Sequence, residues 1–472
     1  MTAKPGTSDN PLRVAIIGSG PSGFYAAEAL QKQKDYVVEI DMFDRLPTPY
    51  GLVRGGVAPD HDKIKSVTKV YDRIAQKPNF RFYGNVEFGT DITHDDLLQH
   101  YHQVIYAVGA QTDRKLGIPG EELLGSHPAT EFVAWYNGHP DYRDYEFDLT
   151  QEAAVVVGIG NVAMDVARIL ARSYNELVKT DIADYALEAL NNSNVKRIYV
   201  LGRRGPAQAA FTNPEIKELG EMEESEIIIG PDEVDLDPLS QEYLDNTDDR
   251  KDIRNVEILK EYAAREPDAS KPKQIIMHFL TSPVEIIGTD RVEAVKIVKN
   301  ELYKNEKGVL RPRATDQTRT IEAGLVFRSV GYRGVPLPGV PFREDWGIIP
   351  NEDGRVIIMD TKEAVIGEYV VGWIKRGPSG VIGTNKPDSQ DTVRIMLDDL
   401  GNDIHLKPTE PSSDAVEKLL GERNVRYVSY EDWQLLDKIE QERGEAIGRP
   451  RLKLSRVDEM LDAIEERKRQ EA

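Results

Sequence analysis

The chain has 472 residues, 40% of them hydrophobic and 30% charged, with a formal net charge of −21 at pH 7 and no cysteine. That length exceeds a single hydrophobic core and points to two or three domains, in the balance of residue types expected of a soluble globular enzyme. The acidity argues against non-specific nucleic-acid binding. The missing cysteine excludes disulfides, thiolate metal sites, cysteine-ligated iron–sulfur clusters and a redox-active Cys-x-x-Cys within this chain. No apolar run approaches the ~18 residues of a membrane span, and residues 1–13 lack the apolar core of a secretory signal, so a cytoplasmic protein is expected.

The first element is an apolar strand, Val14 to Ile17, running into Gly18-Ser19-Gly20-Pro21-Ser22-Gly23. Gly18 permits the tight turn, Gly20 leaves the backbone open to a pyrophosphate, and Gly23 lets the helix from Phe24 to about Lys34 pack closely. That helix offers its N-terminal N–H groups and positive dipole end to phosphates. A second apolar run, Val37 to Phe43, ends at Asp44, where a carboxylate about 20 residues past the glycines grips a ribose diol. The stretch from Leu46 to His61 is too rich in Pro and Gly for a regular element and reads as a ligand-facing loop. A helix from about Asp62 to Gln76 would carry Lys65, Lys69 and Arg73 on one face. Strands are expected at Phe80–Val86 and Val104–Val108. Gln111 to Pro119 reads as a crossing between domains.

Ala153 to Val157, followed by Gly158-Ile159-Gly160-Asn161-Val162-Ala163, repeats the opening pattern, with its helix running to about Arg172. A second nucleotide site follows from it. Its next strand, Arg197 to Leu201, ends in Gly202-Arg203-Arg204 where the first unit has Asp44. Two guanidinium forks there suit a 2′-phosphate, so this site should prefer NADP(H) over NAD(H). An added helix is expected between Arg172 and Asn194. Residues 221 to 270 read as an acidic surface excursion with a helix near Ile253 to Ala264, followed by hairpin strands at Gln274–Leu280 and Arg291–Lys299. A strand at Leu325–Val330 comes next. A third glycine-rich stretch, Tyr369 to Asn385, passes from a strand through Trp373 and Gly380 to a helix near Asp388. The tail, Pro411 to Ala472, holds three helical segments. Ser429 with Asp432 and Ser455 with Asp458 have capping-box spacing, and the tail should brace the first domain.

Taken together, Gly18 to Gly23, Leu52 to His61, Gly158 to Asp165, Gly202 to Thr212 and Gly372 to Lys386 resemble the ferredoxin–NADP reductases of the adrenodoxin-reductase type, most closely the bacterial members. The resemblance implies an α/β, glutathione-reductase-like fold with two Rossmann-like dinucleotide-binding domains, the NADP domain inserted into the FAD domain. The FAD domain would take residues 1–110 and 332–472, with a helical tail at 411–472, and the NADP domain residues 111–331. Carried over by position, flavin contacts fall on Ser22, Asp44, Leu52, Val86, Trp373, Gly380, Val381 and Ile382. NADP contacts fall on Arg114, Asn161, Val162, Ala163, Met164, Arg203, Arg204, Glu215 and Gly380. The family usually has Glu where this chain has Asp44. His61 and Glu215 are expected to line the nicotinamide–flavin junction as the catalytic pair, and no metal is expected. The implied activity is hydride transfer from NADPH to FAD, then release of single electrons to a ferredoxin-type iron–sulfur protein. No nucleic-acid or membrane partner is implied. A flavin disulfide reductase is disfavoured by the missing cysteines. The alternative is a sensor or scaffold that binds both nucleotides without turnover. Docking of an acidic partner would use either Lys65, Lys69 and Arg73 or Arg250, Lys251 and Arg254.

Overall fold

The computed structural model describes residues 4–471. The chain parts into two units. One takes the chain up to Val57, His61–Thr112 and Tyr332 onward; the other takes Ala58–Asp60 and Asp113–Gly331.

The first unit is built on a seven-stranded sheet. Its order is Asn351–Glu352, Arg355–Ile357, Ala364–Val370, Gln103–Tyr106, Leu12–Ile17, Val38–Phe43, Phe80–Tyr83. The last five run parallel, and the first two pair antiparallel at the edge. Strand alternation divides the core. Val14 and Ile16 join a cluster with Phe24, Leu30, Tyr71 and Trp433, while Ala15 and Ile17 join Phe43, Tyr101 and Leu420 on the other face. The tail forms three helices, Ser413–Glu422, Tyr430–Glu445 and Val457–Glu471. Ser429 and Asp432 make the expected capping box. Ser455 stands two positions ahead of the last helix, which begins at Val457, so it is not the cap its spacing suggested.

The second unit holds a six-stranded parallel sheet. Its order is Ser126–Pro128, Leu325–Arg328, Ala153–Val157, Arg197–Leu201, Lys273–His278, Ser225–Ile229. Beside it lies a three-stranded antiparallel meander of Thr281–Ile287, Ala294–Lys304 and Leu310–Glu322.

Several expectations are corrected. The helix expected from Asp62 to Gln76 is two pieces, Asp62–Lys65 and Thr68–Ala75. Ser66 Oγ donates to the Lys63 carbonyl at 2.6 Å and Thr68 Oγ1 to the Lys65 carbonyl at 3.0 Å, so hydroxyls compete with the helical ladder at the break. Lys65 is therefore off the helix that carries Lys69 and Arg73. The loop from Leu46 to His61 contains one helical turn, Leu52–Gly55. The acidic excursion includes a sheet strand, Ser225–Ile229, where Ile227 and Ile229 are buried. Lys273–His278 belongs to the parallel sheet rather than to a hairpin. Leu310–Glu322 was missed because its largely exposed face carries little apolar alternation. The helix expected near Asp388 starts at Asn385.

Candidate functional site

In the first unit the Gly18–Gly23 turn joins Leu12–Ile17 to the helix Pro21–Lys32. Gly18 has φ +105°, and a Cβ there would lie 2.6 Å from the Ala107 carbonyl oxygen, so only glycine fits. A Cβ on Gly23 would meet the Gly18 carbonyl oxygen at 2.4 Å. A Cβ on Gly20 would meet no atom within 4 Å. That position is open rather than filled, the cradle a pyrophosphate needs. The helix has no side-chain cap and carries Pro21 in its first turn, so its leading N–H groups are left to a ligand.

Asp44 ends the neighbouring strand and folds onto this turn. Its Oδ2 accepts from Ser19 N at 3.0 Å and Ser19 Oγ at 2.5 Å, and its Oδ1 from Leu46 N at 3.0 Å. Val86 is buried and donates its N–H to the Asp44 carbonyl at 2.9 Å. Gly51 stacks on the turn: its Cβ would sit 3.0 Å from Gly20 Cα, and Tyr50 N donates to the Ser19 carbonyl at 3.0 Å. Leu52 follows with 39% exposure. His61 is buried at the start of the short Asp62–Lys65 helix.

The third glycine stretch meets the same turn. A Cβ on Gly372 would lie 2.1 Å from Ser22 Oγ, and Ser389 Oγ donates to the Ser22 carbonyl at 3.0 Å. Gly372 N donates to Asp388 at 2.7 Å. The Trp373 ring lies 5.3 Å from that of Tyr332, tilted by 36°, and Trp373 donates Nε1 to the Ser379 carbonyl at 3.2 Å. Beyond it Gly380 and Val381 are exposed and Ile382 opens a short helical turn. Gly18, Gly20, Ser22, Gly23, Asp44, Leu52, Trp373, Gly380, Val381 and Ile382 thus belong to one constellation of loops at the carboxyl ends of the parallel strands.

In the second unit Gly158 has φ +136°, and a Cβ on Gly160 would again meet nothing within 4 Å. The helix Asn161–Ala171 starts without a side-chain cap. Ala163 and Met164 are fully buried, so this turn meets a ligand through backbone. Asn161 Oδ1 accepts from Thr212 N at 2.9 Å, tying the turn to the segment after the arginines. Arg203 is exposed and Arg204 half-buried. Among the described residues neither guanidinium has an ion-pair or hydrogen-bond partner. Burial, and then the positive charges of Arg203 and Arg311, hold Arg204 below the ordinary arginine value. Arg114 is exposed, its N–H on the Gly331 carbonyl at 2.9 Å.

Glu215, buried in the first turn of Asn213–Leu219, accepts from Arg168 Nη1 at 2.9 Å. Arg168 is 0% exposed and also donates to Asp60 at 2.7 Å and Asp165 at 2.6 Å. Arg172 donates to the same Asp60 oxygen at 2.8 Å. These acids raise the Arg168 pKa far above its usual value despite burial. The sequence reading missed Arg168, whose only signal was an arginine among the apolar residues of the helix Asn161–Ala171, three positions after Asp165. It missed Gly51 and Arg311 too, whose roles depend on distant partners.

A family model described as pyridine nucleotide-disulphide oxidoreductase matches residues 12–200. The chain is 46% identical over 460 residues to the NADPH-ferredoxin reductase FprA of Mycobacterium tuberculosis, covering 96% of this chain and 98% of that one. It is 38% identical over 466 residues to the mitochondrial NADPH:adrenodoxin oxidoreductase of Arabidopsis thaliana, covering 97% and 96%. The solved structure of Mycobacterium tuberculosis FprA in complex with NADPH superposes with a TM-score of 0.91 at 44% identity, covering 96% of this chain and 100% of that one.

Proposed function

We propose, from the premise that this chain belongs to the ferredoxin–NADP reductases of the adrenodoxin-reductase type, that it passes electrons from NADPH through FAD to a ferredoxin-type iron–sulfur protein. The observation that carries the reading is a pair of open glycine turns on uncapped helices, one beside a carboxylate and one beside two unpaired arginines, in a chain without cysteine. Bound FAD and NADPH supply the hydride and single-electron chemistry; the protein supplies binding, orientation and electrostatics.

The first unit is assigned to FAD. The Gly18–Gly23 turn and the N-terminus of Pro21–Lys32 hold its pyrophosphate, Asp44 a ribose, and Leu52, Val86, Trp373 and Gly380 to Ile382 surround the remainder. The second unit is assigned to NADP(H). Gly158, Gly160 and Asn161 to Met164 hold its pyrophosphate, Arg203 and Arg204 its 2′-phosphate, and Arg114 a further anionic oxygen. His61 and Glu215 orient the reacting rings, Glu215 being held in place by its hydrogen bond from Arg168. The same reading places the protein in the cytoplasm with neither a membrane nor a nucleic-acid partner. Among the described residues no helix is long and apolar enough to cross a membrane.

The test is direct. Protein denatured after purification should release FAD, and the holoenzyme should reduce an acidic ferredoxin with NADPH much faster than with NADH. Release of FMN, or of no flavin, would refute the cofactor assignment. Dye reduction with no ferredoxin reduction would leave a diaphorase rather than a ferredoxin reductase.

A further inference from the structure

Arg203 and Arg204 are not alone at the end of their strand. The Gly202–Arg204 segment is stitched to the antiparallel meander: Thr281 N donates to the Gly202 carbonyl at 2.8 Å, Leu280 N to the Arg204 carbonyl at 3.1 Å, and Asn300 Nδ2 to the Arg203 carbonyl at 2.9 Å. Asn300 lies midway along Ala294–Lys304, so the hairpin with Leu310–Glu322 runs on past the arginines. Beyond it Glu301 pairs with Arg313, Leu302 with Pro312, Tyr303 with Arg311 and Lys304 with Leu310. This projecting end is anchored by Lys304, whose Nζ reaches Glu242 at 2.7 Å on the helix Pro238–Asn246. Ser240 of that helix accepts from Gln208, which in turn accepts from Gly205 N. Hairpin, helix and arginine loop are therefore fixed to one another within the second unit.

The charges at this place are unevenly satisfied. Arg313 is paired with Glu301 at 2.5 Å and Lys304 with Glu242. Asp252, the carboxylate whose charge acts on Arg204, is engaged by Lys251 at 3.0 Å and by the Tyr243 hydroxyl at 2.6 Å. The guanidinium groups of Arg203, Arg204 and Arg311 have no ion-pair or hydrogen-bond partner among the described residues, and the charges of Arg203 and Arg311 both bear on Arg204. Three guanidinium groups that bear on one another, with the one neighbouring carboxylate, Asp252, already engaged by Lys251 and Tyr243, leave a positive focus that an anion relieves.

We propose that Arg311, carried on the hairpin rather than on the nucleotide-binding loop, is a third guanidinium of the 2′-phosphate site and a determinant of the preference for NADPH over NADH. The proposal rests on the assignment of Arg203 and Arg204 to that phosphate. A planar fork from a second direction engages phosphate oxygens that two adjacent arginines on one strand end leave to water. It also makes the hairpin part of the cofactor site.

The experiment uses the holoenzyme with ferricyanide as acceptor. Arg311→Ala, Arg311→Glu and the double variant Arg203→Ala/Arg204→Ala are compared for the KM of NADPH and of NADH, and for inhibition by adenosine 2′-monophosphate against adenosine 5′-monophosphate. Arg311→Ala should raise the NADPH KM and the 2′-monophosphate inhibition constant by about three- to tenfold, with a larger rise for Arg311→Glu and no matching change for NADH or the 5′-monophosphate. If the double arginine variant loses the NADPH preference while Arg311→Ala keeps it, the role of Arg311 is refuted and the assignment of the loop stands. An equal rise for both cofactors also refutes it. If the double variant keeps the preference as well, the assignment of the loop falls and the role of Arg311 with it.

Discussion

Arg168 is a fully buried cation shared among Asp60, Asp165 and Glu215. Removing one partner of such a group leaves an uncompensated buried charge, so each acid of the cluster is costly to lose. Glu215→Gln keeps the shape and removes one of these charges. It should slow flavin reduction by NADPH by about ten- to hundredfold with FAD still bound, and His61→Ala should do likewise. Stopped-flow absorbance at the flavin band is the measurement; wild-type rates in both variants would refute the proposed roles of these two residues. On the proposed assignment to the 2′-phosphate, Arg203→Ala and Arg204→Ala would each remove a charge-assisted contact of roughly 1.5–3 kcal/mol. Each should raise the NADPH KM by about tenfold or more and leave that of NADH nearly unchanged.

At the scale of elements, the tail helix Tyr430–Glu445 braces the loop that lies on the first glycine turn. Arg54 sends two hydrogen bonds, at 2.9 and 2.6 Å, to Glu440, and its guanidinium lies 5.1 Å from the Trp433 ring. Glu440 is 0% exposed and accepts also from Arg451 at 3.1 Å and Leu454 N at 2.9 Å. Tyr50 and Tyr430 share Asp72. The brace expected of the tail is thus a buried ionic clamp on Tyr50 to Gly55, and so on Gly51 over Gly20. Glu440→Ala should cost about 3–5 kcal/mol, because two arginines lose their counter-charge, and should weaken FAD retention. Thermal unfolding and FAD loss on dilution would measure both. A stable variant that keeps its flavin would show the clamp to be dispensable.

Over the whole molecule, net charge and pH act together. A protein at −21 meets an acidic ferredoxin only through a local basic face, since screening at physiological salt confines the interaction to about 8 Å. The two candidate faces differ in how far their charges are already paired. Arg254 is neutralised by Glu257 and Glu261, and Lys251 by Asp252, whereas Lys69 and Arg73 are exposed with no ion pair among the described residues. Charge reversal at Lys69 and Arg73 should raise the ferredoxin KM and flatten its salt dependence, with ferricyanide reduction unchanged. Reversal at Arg250 and Arg254 should have the smaller effect. For pH, His102 is buried and accepts from Arg13 N at 3.0 Å. Burial first, then His405, Arg13 and Lys407, lowers its pKa from 6.5 to about 4. The unfolded chain takes up this proton first, so the contribution of His102 is complete above pH 6.5 and is lost as pH falls toward 4. His94 works the other way. Its hydrogen bond to Glu368 raises its pKa, so its contribution is complete below 6.5 and is lost as pH rises through the folded value. Denaturant unfolding across pH 4 to 7 should show a steep acid limb that His102→Gln flattens.

Both glycine turns, the strands and helices around them, and the placing of Asp44 and of the adjacent arginines Arg203 and Arg204 at strand ends were legible in the sequence, because each depends on residues adjacent in the chain. A turn needs its glycines in order, and a buried parallel strand needs an apolar run wherever it ends up. The partners of those residues were not legible. Arg54 and Glu440, Arg203 and Asn300, Arg204 and Arg311, Asp60 and Arg168 lie far apart in sequence, and their types alone describe ordinary surface charges. The break between Lys65 and Lys69 and the pairing of Ser225–Ile229 were decided by local hydroxyl competition and by a free sheet edge, neither of which leaves a periodic signal. Local chemistry follows from the order of residues, whereas burial and charge pairing exist only once the chain has folded upon itself.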